Sequence, residues 1–289
     1  MNIRFADTPA PTSATQSYAV RRAPTRVEPI VDHAPLTPRR LAGHLLHGGK
    51  VPLPVIARRV PAVTKILNDP RASAEQIMDD ARFLHRDVDD TLTHYLAAIA
   101  LDGQQTQATK LLGHVLLDHD EVDAARICFD YTQQITPNDP LLSHAYLNLG
   151  EAYREGARPE QAARAYRQAL RFDPKQMDAL ESLGLTYMDL NRNFLAILTF
   201  SDYLVSTKNS VSVWCNLGIC WRNIGCLEAA MSCYRQALQL DFKLTAARFN
   251  LCLIYLRLKM FAPLIGEYLI LRHQDPALAM QLEPLLVSK

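Results

Sequence analysis

Five cysteines crowd one stretch of the chain: Cys215, Cys220, Cys226, Cys233 and Cys252. Thiolates at the right spacing would hold zinc. Here the gaps contain no Cys-x2-Cys, and the residues scatter round two helices instead of converging. Six cysteines in 289 residues do not make a disulfide framework either. They read as reduced, buried, small hydrophobes of a protein kept in a reducing compartment. None of the nine histidines belongs to a His-Glu-x-x-His pattern. His44 and His47 fall in a glycine-flanked stretch read as a loop, which superficially resembles a phosphate loop. Its spacing misses by one, Val51 stands where Ser or Thr belongs, and no strand precedes it. The acidic pairs Asp79–Asp80 and Asp89–Asp90 diverge as neighbours on a helix, and no Ser-His-Asp or Cys-His cue has a fold context. The expectation is a non-enzymatic protein without metal or cofactor.

The elements that carry these residues divide into two unlike parts. Ten of the 17 prolines precede residue 71, while only Phe5 and Tyr18 of the 22 aromatics do. Such a stretch buries too little surface to offset its ordering entropy. Residues 1 to about 40 therefore read as disordered, within a basic, Pro/Ser/Thr-rich arm drawn as 1–50. Residues 1–65 hold ten Lys/Arg against Asp7, Glu28 and Asp32, a net +7, and the remainder holds 21 basic and 27 acidic residues, a net −6. The overall +1 is a cancellation. It excludes nucleic acid as partner of the folded part, since phosphate binding goes with a basic excess. The arm lacks the apolar core of a Sec signal, and no apolar run approaches a membrane span. The basic arm is expected to reach the acidic remainder of its own chain.

Residues 51–71 read as a linker or short docking helix. Ile56, Val60, Val63 and Leu67 share a face that Pro61 kinks or divides. Residues 72–105 read as a helical extension, either one long helix or a pair broken near Asp87. Beyond them a 34-residue period governs. Tyr146, Leu149, Gly150, Tyr153, Ala162, Tyr166, Ala169 and Pro174 recur as Leu180, Leu183, Gly184, Tyr187, Ala196, Phe200, Tyr203 and Lys208. Two further steps of 34 reach Trp214, Leu217, Gly218 and Trp221, then Arg248, Leu251, Cys252 and Tyr255. Each unit reads helix, turn, helix. Gly156 ends a first helix and Pro159 fits the first turn of a second. One pair cannot bury its own apolar positions, so neighbours must stack.

This pattern resembles the tetratricopeptide repeat (TPR) family, with units at 106–139, 143–176, 177–210, 211–244 and 245–278 and a capping helix at 279–289. The resemblance covers about 173 of the 289 residues. It implies an all-α fold, a TPR α-solenoid of antiparallel helix pairs with a disordered Pro-rich N-terminal arm. It also implies that first helices line a concave groove. The residue before each Leu-Gly (or Leu-Cys) pair is Asn148, Ser182, Asn216 and Asn250. An asparagine amide donates and accepts at once, so such a row can pair with an extended backbone. This is similar to the asparagine ladder of the O-GlcNAc transferase repeat domain, although Asn tolerated on a solvated face is the alternative. Around the row lie Glu151 and Arg154, then Glu181, then Ile219, Phe249 and Leu253, with Arg222 and Arg257 at the edge. A carboxylate clamp is not expected, because Leu147, Glu181 and Cys215 stand where it would place Lys.

The resemblance implies a scaffold or adaptor that binds a protein or peptide segment, located in the cytoplasm. The alternatives are a dedicated chaperone for an exported protein, like those of type III secretion, and a TPR protein that is itself secreted by a non-Sec route.

Overall fold

The computed structural model describes residues 37–47, 52–58, 60–83 and 88–287, and every regular element among them is helical. Three short helices come first: α1 (Pro38–His47), α2 (Leu53–Ala57) and α3 (Pro61–Leu67). A hairpin of α4 (Ala74–Phe83) and α5 (Val88–Leu101) follows. Five pairs then repeat one geometry: α6 (Thr106–Asp118) with α7 (Val122–Ile135), α8 (Leu142–Glu155) with α9 (Pro159–Phe172), and α10 (Met177–Asp189) with α11 (Asn193–Ser206). The series continues with α12 (Val211–Asn223) and α13 (Leu227–Leu240), then α14 (Thr245–Arg257) and α15 (Phe261–Gln274). Two short helices close the chain, α16 (Pro276–Met280) and α17 (Glu283–Val287). Each second helix packs on the first helix of the next pair, and the whole is an α-solenoid.

The glycine of each Leu-Gly pair is there for a ring sixteen residues later. A methyl group on Gly218 would lie 2.7 Å from the Tyr234 ring, and one on Gly113 would lie 2.5 Å from Phe129. Gly150 faces Tyr166 and Gly184 faces Phe200 as tightly. These four rings are fully buried, so the missing side chain lets the edge of a ring press against the partner helix. The last pair departs from this. Cys252 occupies the glycine position and is itself buried. The corresponding Tyr268 is left half-buried, and its hydroxyl donates to Glu283 at 3.0 Å.

The turns repeat too. Gly156 follows the last residue of α8 with φ −74°, and the left-handed residue is Ala157 at φ 53°. Asn191, Gly225 and Lys259 take the same conformation at steps of 34, and Asp120 does so 37 residues before Ala157. The amide of Arg158 donates to the Tyr153 carbonyl at 2.9 Å, and that of Ala157 to Arg154 at 3.0 Å. This double closure uses carbonyls that the helix end would otherwise leave unpaired.

Both ends differ from the sequence reading. The arm drawn as far as residue 50 includes α1, whose Leu41, Ala42 and Leu45 are buried and which packs chiefly on α7. His44 and His47 therefore lie on a helix and not in a loop. Residues 1–36, with their expected disorder and their expected contact with the acidic repeats, lie outside the described residues. Pro61 divides its segment: α2 and α3 are separate helices, both packed on α5, with Ile56, Val60 and Val63 buried. Arg58 closes that contact by donating to the Ala100 carbonyl, at 3.0 and 2.8 Å. The C-terminal cap begins at Pro276, where Asp275 accepts from the Leu278 amide at 2.9 Å. It is broken at Gln281 and Leu282, and Pro284, which has no N–H to donate, sits in the first turn of α17.

Candidate functional site

The first helices approach one another along the array, α6 to α8, α8 to α10 and α10 to α12, whereas the second helices do not come as close. The first helices therefore form the inner, more tightly curved face. Asn148, Ser182, Asn216 and Asn250 stand at one register of four successive inner helices, yet their surroundings differ. Asn148 is exposed and Asn216 half-buried, and among the described residues neither amide meets a protein partner. Asn250 is engaged on both sides: Arg222 donates to its Oδ1 at 2.5 Å, and its own amide donates to the Ala246 carbonyl at 3.0 Å. Ser182 donates to Glu151 at 2.6 Å. The expected ladder is thus two open amides, with the other two positions used to tie neighbouring pairs together.

Glu151 is the hub of the first tie. Besides Ser182 it accepts from the Tyr166 hydroxyl at 2.9 Å and from Arg154 Nε at 3.1 Å. Burial works to raise its pKa, but the hydrogen bonds from Ser182, Arg154 and Tyr166 outweigh it. The carboxyl is held below the ordinary carboxylate range. Glu181 makes the equivalent link in the next pair, accepting from Ser212 at 2.9 Å. Spacing alone could have flagged both links, since each joins a Glu to a Ser thirty-one residues later. At the far end Ile219, Phe249 and Leu253 are half-buried against the second apolar cluster, and Leu256 is wholly buried. Arg257 is exposed and, among the described residues, makes no hydrogen bond or ion pair with the other expected residues.

Five of the six thiols are buried or half-buried, whereas Cys226, read as buried with them, is exposed. Burial pushes Cys215 and Cys220 up to about 11, and Cys128, Cys233 and Cys252 up to about 12, so they are protonated at neutral pH. A recess of about 460 Å³ opens between α7 and α9. Four of its charges pair: Arg158 grips Asp123 at 2.9 and 3.0 Å, and Arg126 meets Asp130 at 2.8 Å, while Arg164 at its rim pairs with neither acid.

A curved solenoid with polar, partly unpaired side chains along its inner face belongs to the class of helical-repeat proteins built for protein interaction. The chain carries tetratricopeptide repeats. Family models described as TPR repeat and tetratricopeptide repeat match residues 150–191 and 211–244. Among curated proteins it is similar to anaphase-promoting complex subunit 3 of Schizosaccharomyces pombe, 27% identical over 113 residues. That stretch is 39% of this chain and 17% of the relative's length. Among solved structures it is similar to YrrB, described as a TPR protein with an unusual peptide-binding site. The TM-score is 0.55 at 18% identity, over 66% of this chain and 97% of that one. It is also similar to MamA of AMB-1, with a TM-score of 0.50 at 16% identity over 61% and 94% of the two chains. These likenesses show the fold.

Proposed function

We propose that this protein is a non-enzymatic adaptor that holds an extended segment of a partner protein along its inner face. The observation that carries the reading is the pair of unengaged amides, Asn148 and Asn216, at one register two helix pairs apart. Neighbouring inner helices packed at ordinary distances would put them on the order of 20 Å apart, about six residues of extended chain. Each amide can both donate to and accept from a peptide unit. Between them, exposed Asp178 and Asp189 favour basic residues in the ligand, and Ile219 and Phe249 offer an apolar anchor beyond. The peptide-binding site named for YrrB is consistent with such a use of the fold.

The test compares proteins captured from the host cell by the wild-type chain and by the Asn148→Ala/Asn216→Ala variant. We expect a discrete set to fall about tenfold, roughly the loss of one or two hydrogen bonds, with thermal stability unchanged. Capture that ignores the substitutions sinks the assignment. A second reading, a dedicated chaperone for an exported protein, is favoured by the apolar end at Ile219, Phe249 and Leu253. The same experiment separates the two: a chaperone returns one exported protein in stoichiometric complex, and an adaptor does not.

A further inference from the structure

The outward stripes of successive second helices can be compared at steps of 34. On α9 the stripe reads Glu160, Arg164, Arg167, Arg171, and on α13 it reads Glu228, Ser232, Arg235, Gln239. Both suit water. On α11, between them, it reads Phe194, Leu198, Ser201, Val205. Those apolar side chains are 69%, 63% and 84% exposed, and Leu195 beside them is 41% exposed. Large apolar groups this exposed, in line over three turns, mark an interaction surface more often than chance. One pair back, the three arginines of α9 are exposed, and among the described residues none of them meets a carboxylate. They line an open hollow of about 480 Å³ with Gln168 and Leu170.

We propose that the outer face of α9 and α11 is a second docking surface, distinct from the inner groove, for an amphipathic helix of a partner protein with acidic residues along one flank. A helix laid on α11 meets apolar positions at i, i+4 and i+11, the spacing that a helical ligand presents in return. An acidic flank then meets Arg164, Arg167 and Arg171, whose planar groups pair two-pronged with carboxylates. Residues 1–36 of this chain do not match that chemistry. They carry Arg4, Arg21, Arg22 and Arg26 against Asp7, Glu28 and Asp32, with five prolines. An anionic bilayer matches less well, because exposed Glu160 on α9, Asp202 beside the apolar stripe of α11 and Glu228 on neighbouring α13 would be repelled.

The test selects a displayed library of random peptides, about 18 residues long to give five helical turns, on the full chain. We expect enriched peptides that combine a helical apolar stripe with Asp or Glu on its flank. Synthetic versions should bind the Leu198→Asp chain about tenfold more weakly. They should also lose affinity for the Arg164→Glu/Arg167→Glu chain and regain it when their own acids become Lys. Asn216→Ala should leave them untouched. The substituted side chains are exposed, and circular dichroism checks that each variant folds. Three outcomes overturn the proposal. The first is selected peptides that ignore Leu198 and the arginines, or lack an acidic flank. The second is co-sedimentation with phosphatidylserine–phosphatidylcholine vesicles that Leu198→Asp abolishes, which puts a bilayer there. The third is a dimer in sedimentation velocity that the same variant dissolves, which puts a second copy there.

Discussion

Tyr166 and Tyr234 hold the same place in two repeats and face opposite polarities. The hydroxyl of Tyr166 reaches Glu151, whereas Tyr234 has Ile219 at that position, and its buried hydroxyl has no partner among the described residues. An unpaired buried hydroxyl costs more than an absent one. Tyr234→Phe should therefore stabilise the chain by about 1 kcal/mol, and Tyr166→Phe should destabilise it by about 1–2 kcal/mol, both read by chemical denaturation. Equal effects of one sign would contradict the assignment. At this scale the sequence is only half legible. The period placed both rings, because ring and glycine must meet. It also treated Asn250 as an equal of Asn216, although Arg222 takes up its carboxamide oxygen. Such a choice among partners depends on the reach of a long side chain, and spacing carries no trace of it. Arg248 shows the same limit. It stands where Tyr146 and Trp214 do, is 2% exposed, and is held by Glu267, Gln274 and the Phe242 carbonyl.

At the scale of elements, the helix pairs and their turns are readable, but which turn residue is left-handed is not. Gly156 ends α8 as expected, and it is Ala157 after it that takes the left-handed conformation, since the repeat fixes the turn by position and not by residue type. Only one of the five equivalent positions, Gly225, has the residue that best tolerates it. A side chain there costs roughly 1–2 kcal/mol, partly offset by the extra freedom glycine gives the unfolded chain. Ala157→Gly should raise stability by about 0.5–1 kcal/mol, and Gly225→Ala should lower it by about 1 kcal/mol. Apart from its chain neighbours, no described atom lies within 4 Å of a methyl group built on Gly225, so the measurement reports backbone strain less that unfolded-chain freedom, with no clash added. The apolar stripe of α11 escaped the sequence reading for a different reason. Periodicity there was used to find buried faces, and an exposed face of the same composition looks identical in one dimension.

Across the whole molecule the buried side chains form two clusters. One runs from Leu41 to Cys233 and the other from Leu227 to Leu282. They meet at α12 and α13, where Trp214 and Trp221, the chain's two tryptophans, pack against both. The second cluster is smaller and contains the pair in which Cys252 replaced glycine and Tyr268 lost its seat. A quasi-one-dimensional array can open from its weaker end. Amides of α14 and α15 should exchange with solvent well before those of α8 to α11, and tryptophan fluorescence should change before the helical signal is lost in denaturant. Exchange at one common free energy in both clusters would show a single cooperative unit instead.

The seat of α1 has a consequence for how the chain is made. The helix ends at His47 and packs on α7, which is complete only at Ile135. At roughly 5–20 residues per second, the ribosome takes about 4–18 s to deliver the rest of that contact. Through this interval α1, with Leu41 and Leu45, lacks its main partner, while α2 and α3 wait a shorter time for α5. The array is thus born with its opening lid already outside the exit tunnel, and the lid settles only after the walls it covers have been built.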